Sequence, residues 1–266
     1  MSTLHAIIIA IIEGITEFLP ISSTGHMAIA SAIMGDHGPF VELFEIVIQF
    51  GAILSVVVLY WRKFFDFKKI SFYIKLIIAI IPALVFGALF KSHIDRMLET
   101  PMVIAIIMLL GGFVLLFVDK WFQKPTIDRE DSITIKKGFI IGCYQVLSIL
   151  FPGLSRSAAT IIGGMQQKLS RRLAAEFSFF LAVPTMLAAT VYSLYKMYKT
   201  NPEVLTHSGN MSMLLLGCAI AFVVAILAIK FFITYLQKHG FRLFGWYRII
   251  VGLALIILFY TGVIGK

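Results

Sequence analysis

The chain has 266 residues, 59% of them hydrophobic and 14% charged, with a mean hydropathy of +0.94. Soluble domains carry about 25% charged residues, so this composition excludes an ordinary cytosolic enzyme, and its many Phe, Ile and Leu exclude a disordered chain. The net charge of +9 sits in short basic clusters between apolar runs, the pattern of cytoplasmic membrane loops, so no nucleic-acid partner is expected.

The first apolar stretch, about 3–34, is interrupted at Phe18-Leu19-Pro20-Ile21-Ser22-Ser23-Thr24-Gly25-His26. Met1-Ser2-Thr3-Leu4-His5 ahead of it has no basic n-region and no cleavage site follows, so no cleaved signal peptide is expected. Complete spans follow at roughly 41–61, 71–90 and 102–119, each near the length a bilayer crossing demands. A second interrupted stretch, about 133–168, breaks at Leu150-Phe151-Pro152-Gly153-Leu154-Ser155-Arg156-Ser157-Ala158. Spans at roughly 173–195, 211–235 and 243–263 complete the series. Pro, Gly and hydroxyl groups break a helix and free backbone groups that lipid cannot satisfy, so both breaks belong inside protein or beside a polar cavity. Cys143 and Cys218 have neither CxxC spacing nor a partnering His and read as small buried hydrophobes.

The two breaks align at an offset of 132 residues, pairing Pro20 with Pro152 and Ser23 with Ser155. With one extra residue, the run from Phe44 to Tyr60 falls on that from Phe177 to Ser193. The chain therefore reads as one integral membrane domain, 1–266, duplicated in halves of about 1–130 and 131–266. Charge counting favours broken segments that re-enter: one face then carries 15 Lys or Arg against five on the other, including Lys266. Crossing segments would give 13 against seven. The expected fold is an all-α polytopic protein of six transmembrane helices plus two re-entrant helix-loop-helix hairpins, in an inverted-topology repeat.

The first hairpin carries Glu13 and Glu17 one helical turn apart. A charge at membrane depth costs on the order of 3 kcal/mol, and two carboxylates add repulsion, which a divalent cation such as Mg²⁺ or Ca²⁺ relieves. The alternative is a protonated Glu or a pair with Arg156. Ser22, Ser23 and Thr24 open the next helix, where free N–H groups suit a phosphate and where hydroxyls also serve as caps. His26 lies close enough along the chain to exchange a proton with a nucleophile or leaving group. In the second hairpin, Ser155, Arg156 and Ser157 add hydroxyls and a guanidinium whose fork matches phosphate oxygens. This set suits metal-assisted cleavage of a phosphoanhydride on a lipid-tailed substrate.

These residues resemble a known family. Glu13-Gly14-Ile15-Thr16-Glu17-Phe18-Leu19-Pro20-Ile21-Ser22-Ser23-Thr24-Gly25-His26 is similar to the signature of undecaprenyl-diphosphate phosphatases, the bacitracin-resistance proteins. Pro152-Gly153-Leu154-Ser155-Arg156-Ser157-Ala158-Ala159-Thr160 is similar to their second motif, and Glu176 to Pro184 also fits. The resemblance implies hydrolysis of undecaprenyl diphosphate to the monophosphate, recycling the carrier lipid for peptidoglycan synthesis, in a bacterial inner membrane with the site open to the periplasmic side. It implies that Glu13 and Glu17 serve a divalent cation, Mg²⁺ or Ca²⁺, and the activation of water or the nucleophile. It also implies that one of the Ser22 and Ser23 hydroxyls, Ser23 foremost, attacks, and that His26 does acid–base work. Arg156, with Thr24, Ser22, Ser155 and Ser157, would clamp the diphosphate, and Gln49 is a neighbour. Metal-activated water stays open as the attacking group. A lipid-phosphate transporter or flippase is the rival reading, since inverted repeats with broken helices serve transporters too. A lipid phosphotransferase is a third. Gly217, Gly252 and Gly262 allow close helix packing and a homodimer, without a strict GxxxG to require one.

Overall fold

The computed structural model describes residues 1–98, 100–207 and 209–262, and among these the regular elements are helices, apart from one isolated bridge between Ile127 and Leu169. The chain opens with α1 (Thr3–Thr16) and α2 (Ser23–Met34). It continues through α3 (Pro39–Leu59), α4 (Trp61–Phe64), α5 (Ile70–Leu89), α6 (Lys91–Leu98) and α7 (Pro101–Trp121). A like order recurs in α8 (Ile135–Leu150), α9 (Arg156–Gln166), α10 (Arg171–Thr200), α11 (Pro202–Thr206), α12 (Asn210–His239) and α13 (Arg242–Tyr260). Six of them, α3, α5, α7, α10, α12 and α13, are long and apolar enough to cross a membrane, in agreement with the expected spans. Residue 263 of the last expected span and Lys266 of the charge count lie outside the described residues.

The two interrupted stretches become helix pairs. α1, α2, α8 and α9 have 14, 12, 16 and 11 residues. At 1.5 Å per residue they reach only ~17–24 Å, short of a hydrocarbon core of ~30 Å. These lengths are consistent with hairpins that turn back. Side-chain caps start the helices: Ser2 accepts from the His5 N–H at α1, and Thr134 from the Lys137 N–H at α8.

The packing has a symmetric pattern. α1 lies against α12 as α8 lies against α5; α3 meets α12 as α10 meets α5; α7 pairs with α13. Exchanging the halves maps this set of contacts onto itself, which is consistent with an internal twofold repeat. Gly142 brings α8 against α5, where a Cβ would overlap the Ala79 carbonyl. Phe18 of the first turn stands edge-on to Phe179 of α10, with ring centroids 5.1 Å apart and both side chains fully buried.

Cys143 departs from expectation: it is exposed on α8, and Cys218 is only half-buried. Hydropathy does not distinguish a protein interior from lipid, because both are apolar, so an outward-facing thiol reads like an inward one.

Candidate active site

Both breaks end in a serine with left-handed backbone. Ser22 has φ 73° and its Oγ accepts from the Gly25 N–H at 3.4 Å; Ser155 has φ 74° and accepts from the Ala158 N–H at 3.3 Å. The structure thus pairs Ser22, not Ser23, with Ser155. The extra residue of the second half falls inside its turn, between Pro152 and Ser155, and side-chain similarity carries no information about φ. Ser23 and Arg156 consequently occupy equivalent places, each the first residue of its helix.

The two helix starts meet on one carboxylate. Ser23 Oγ donates to Glu17 Oε2 at 2.6 Å, and Arg156 Nη2 donates to Glu17 Oε1 at 2.8 Å. Arg156 Nη1 also donates to the Ser178 carbonyl of α10 at 3.1 Å, while its Nε is buried without a partner. A backbone oxygen of the Glu176 to Pro184 segment thus aims the guanidinium, while the Ser178 hydroxyl itself shares a hydrogen bond with Thr160 at 2.6 Å. The contact lies on the wall of a cavity of about 330 Å³. Glu17, Ser22, Ser23, Thr24, Gln49, Ser155 and Arg156 line it, all expected at the site. Gln145, Ser148 and Thr185 line it too, and sequence reasoning missed them. Gln145 is wholly buried and exchanges hydrogen bonds with Thr185 at 3.3 and 3.4 Å. An amide on an apolar helix was the available signal.

Three expected residues stand behind this wall. Ser157 donates to the Leu19 carbonyl at 2.8 Å and shares a hydrogen bond with Ser155, tying the second helix start to the first turn. His26 places Nδ1 2.8 Å from the Ser22 carbonyl, which only accepts, so Nδ1 carries the proton. Its Nε2 lies 2.8 Å from the hydroxyl of Tyr247 on α13. Its hydrogen bonds therefore run to Ser22 and Tyr247, and Glu17 is the acceptor on Ser23. Glu13 is fully buried, with both carboxylate oxygens lacking a hydrogen-bond donor, and the charges of Glu17, Glu45 and Arg156 act on it.

A larger cavity, about 810 Å³, opens among Lys63, Asp119, Arg129 and Arg171 at the loop end of the bundle. None of the expected site residues lines it, and Arg171 is already paired with Asp119 at 2.6 Å. Chemistry, not size, separates the two. The other residue missed in sequence is Arg248 of α13, wholly buried and bonded to carbonyls of both turns. An arginine inside an apolar span was its signal.

A family model described as bacitracin resistance protein BacA matches residues 6–254, both turns included. The chain belongs to this family. A BacA-family relative, the undecaprenyl-diphosphatase of Flavobacterium johnsoniae, is 53% identical over 262 residues, covering 98% of this chain and 97% of that one. The undecaprenyl-diphosphatase of Porphyromonas gingivalis is 51% identical over 280 residues, covering 99% of each. That of Enterococcus faecalis is 41% identical, covering 96% of each. The matched residues 6–254 include Glu17, Ser23 and Arg156.

The donors fit a divalent cation in part. Glu13 offers two oxygens without a hydrogen bond, whereas Glu17 already accepts from Ser23 and Arg156. Among the described residues no cluster of three or more His, Cys, Asp or Glu forms a metal site, so hydroxyls or substrate oxygens would complete the shell.

Proposed function

We propose that the protein hydrolyses undecaprenyl diphosphate to undecaprenyl phosphate and inorganic phosphate, the activity its relatives are named for. It is a multi-pass membrane protein with a lipid substrate, and bacitracin resistance follows from keeping the carrier lipid in its monophosphate form. The transporter reading is not favoured, because the relatives carry a phosphatase's name.

One observation carries the mechanism: Ser23 Oγ already donates to Glu17 while Arg156 holds the other oxygen of that carboxylate. Ser23 Oγ attacks the terminal phosphorus as Glu17 takes its proton. The bond from phosphorus to the bridging oxygen breaks and the lipid monophosphate leaves. Water then cleaves the phosphoserine, releasing phosphate and restoring the hydroxyl. Arg156, with its unpartnered Nε and its fork, holds the charge that develops on the phosphate oxygens. The backbone N–H groups at the starts of α2 and α9 add to this. Thr24, Ser155 and Gln49 orient the diphosphate from the cavity wall. His26 holds the carbonyl of Ser22 and thereby fixes the first turn. Glu13 and Glu17 would hold a divalent cation, which would supply electrostatic stabilisation of the diphosphate.

The basic loops support a first-hairpin mouth outside the cytoplasm, and the family resemblance implies a bacterial inner membrane, so that this mouth opens to the periplasm. The test is phosphate release from undecaprenyl or farnesyl diphosphate by purified protein, with Mg²⁺ and with chelator, beside Ser23→Ala. Cation-dependent release that Ser23→Ala abolishes is expected. Release that persists undiminished in Ser23→Ala would overturn attack by Ser23.

A further inference from the structure

Broken helices leave carbonyls that must find donors away from water. The guanidinium of Arg248, on α13, meets three of them, together with two carbonyls of α7. Its Nη1 donates to the Pro20 carbonyl of the first turn at 3.2 Å and to the Leu154 carbonyl of the second at 2.8 Å. Its Nη2 donates to the Gly153 carbonyl at 2.8 Å and to the Ile107 carbonyl at 3.4 Å, and Nε to the Met108 carbonyl at 3.2 Å. Arginine has five N–H donors in a planar fork, so its full donor set is engaged. Among the described residues no carboxylate pairs with this side chain, which is fully buried.

Each turn leads directly into a reactive side chain. Pro20 lies three residues before Ser23, and Leu154 two before Arg156. One rigid cation therefore holds the segment that ends in the nucleophile and the segment that ends in the phosphate clamp. α7 is shaped for it: Gly111 leaves the space that Nη2 fills, and a Cβ there would overlap it.

We propose that Arg248 is a positioning residue for catalysis, setting the separation of Ser23 from Arg156 by holding both turns to α7. The inference rests on the roles given to Ser23 and Arg156 above. A lysine keeps the charge but brings three donors to a single point, and does not span both turns. Gly111→Ala acts on the same guanidinium from α7 without touching any cavity residue, and alanine itself favours a helix.

The experiment measures kcat, KM and detergent melting temperature for Arg248→Lys, Gly111→Ala and Ser23→Ala with undecaprenyl diphosphate. Misplacing reacting groups by about 1 Å costs on the order of 10²-fold. The expected result is a kcat lower by about 100-fold in Arg248→Lys and Gly111→Ala, KM within about threefold of wild type, and retained melting. Wild-type kcat in a folded Gly111→Ala or Arg248→Lys overturns the proposal. So does a rise in KM at constant kcat, and unfolding of both variants would make Arg248 a residue of the fold alone. Full activity in Ser23→Ala removes the underlying assignment instead, so the two failures are distinguishable.

Discussion

Ser22 and Ser155 are one device used twice: each has a φ close to +73°, and each caps with its own hydroxyl the helix after it. Left-handed backbone costs a non-glycine residue roughly 1–2 kcal/mol, so the surroundings must hold it. At Ser22 the His26 ring and backbone N–H both bond its carbonyl, at 2.8 and 3.3 Å. The gain is placement, since each strained serine delivers the next residue, Ser23 or Arg156, to the same carboxylate.

Substitutions at these serines should separate strain from capping. Glycine accepts the positive φ and serves as a cap at a cost of only a few tenths of a kcal/mol, so Ser22→Gly and Ser155→Gly should melt within about 1 kcal/mol of wild type. Valine loses the cap, worth about 1 kcal/mol, and adds a β-branched side chain at positive φ, so Ser22→Val should lose at least about 2 kcal/mol. Thermal melts in detergent check this, and equal stability of the Gly and Val variants would refute the strain argument.

Glu17 and His26 should differ as bases. Glu17→Gln keeps an acceptor for Arg156 but holds no proton from Ser23, so kcat should fall by about 10²–10⁴-fold with little change in melting. His26→Ala loosens the Ser22 carbonyl and should lower kcat by less. Steady-state phosphate release decides, and a deeper loss in His26→Ala than in Glu17→Gln would return the base role to His26.

Much of this site is legible in the sequence because membrane depth makes polar residues conspicuous. Glu13, Glu17, Arg156 and the serines stand out in apolar runs, and the Pro-bearing breaks mark where the backbone leaves the helix. What stays hidden is direction. Spacing puts His26 near Ser23, but the ring points to Tyr247, 221 residues further along the chain. Spacing equally pairs Ser23 with Ser155, because one inserted residue in a turn changes register without changing composition. Arg248 is visible as a charge inside a span, yet its five partners are backbone carbonyls, which no residue type announces. The spans are the easiest part: length and hydropathy alone fix them to within a few residues, except where α10 and α12 run on to 30 residues each.

Arg156 should be irreplaceable by charge alone. Its guanidinium reaches Glu17 and the Ser178 carbonyl at once, with Nε left for a ligand. Arg156→Ala should abolish turnover while the protein stays folded in detergent. Arg156→Lys keeps one cation but loses the fork, so KM should rise by about tenfold or more and kcat fall with it, a loss of roughly 1.4 kcal/mol or more in transition-state binding. Near-normal kinetics in either variant would remove the phosphate clamp.

Glu13 is the residue on which the cation assignment turns. Both its oxygens are buried without a donor, beside a second carboxylate, an arrangement that burial alone disfavours. If a divalent cation completes it, Glu13→Gln should raise the Mg²⁺ or Ca²⁺ concentration needed for half-maximal activity by about tenfold or more, because one charged ligand is lost. The Glu13→Gln, Glu17→Gln double variant should lose cation dependence and activity together. Melting curves with added cation and with chelator give a readout independent of turnover: wild type should gain stability on binding, as any ligand specific to the folded state confers, and the double variant should not. Cation-stimulated turnover that survives in the double variant would place the metal elsewhere and leave Glu13 as a neutral acid behind the catalytic carboxylate.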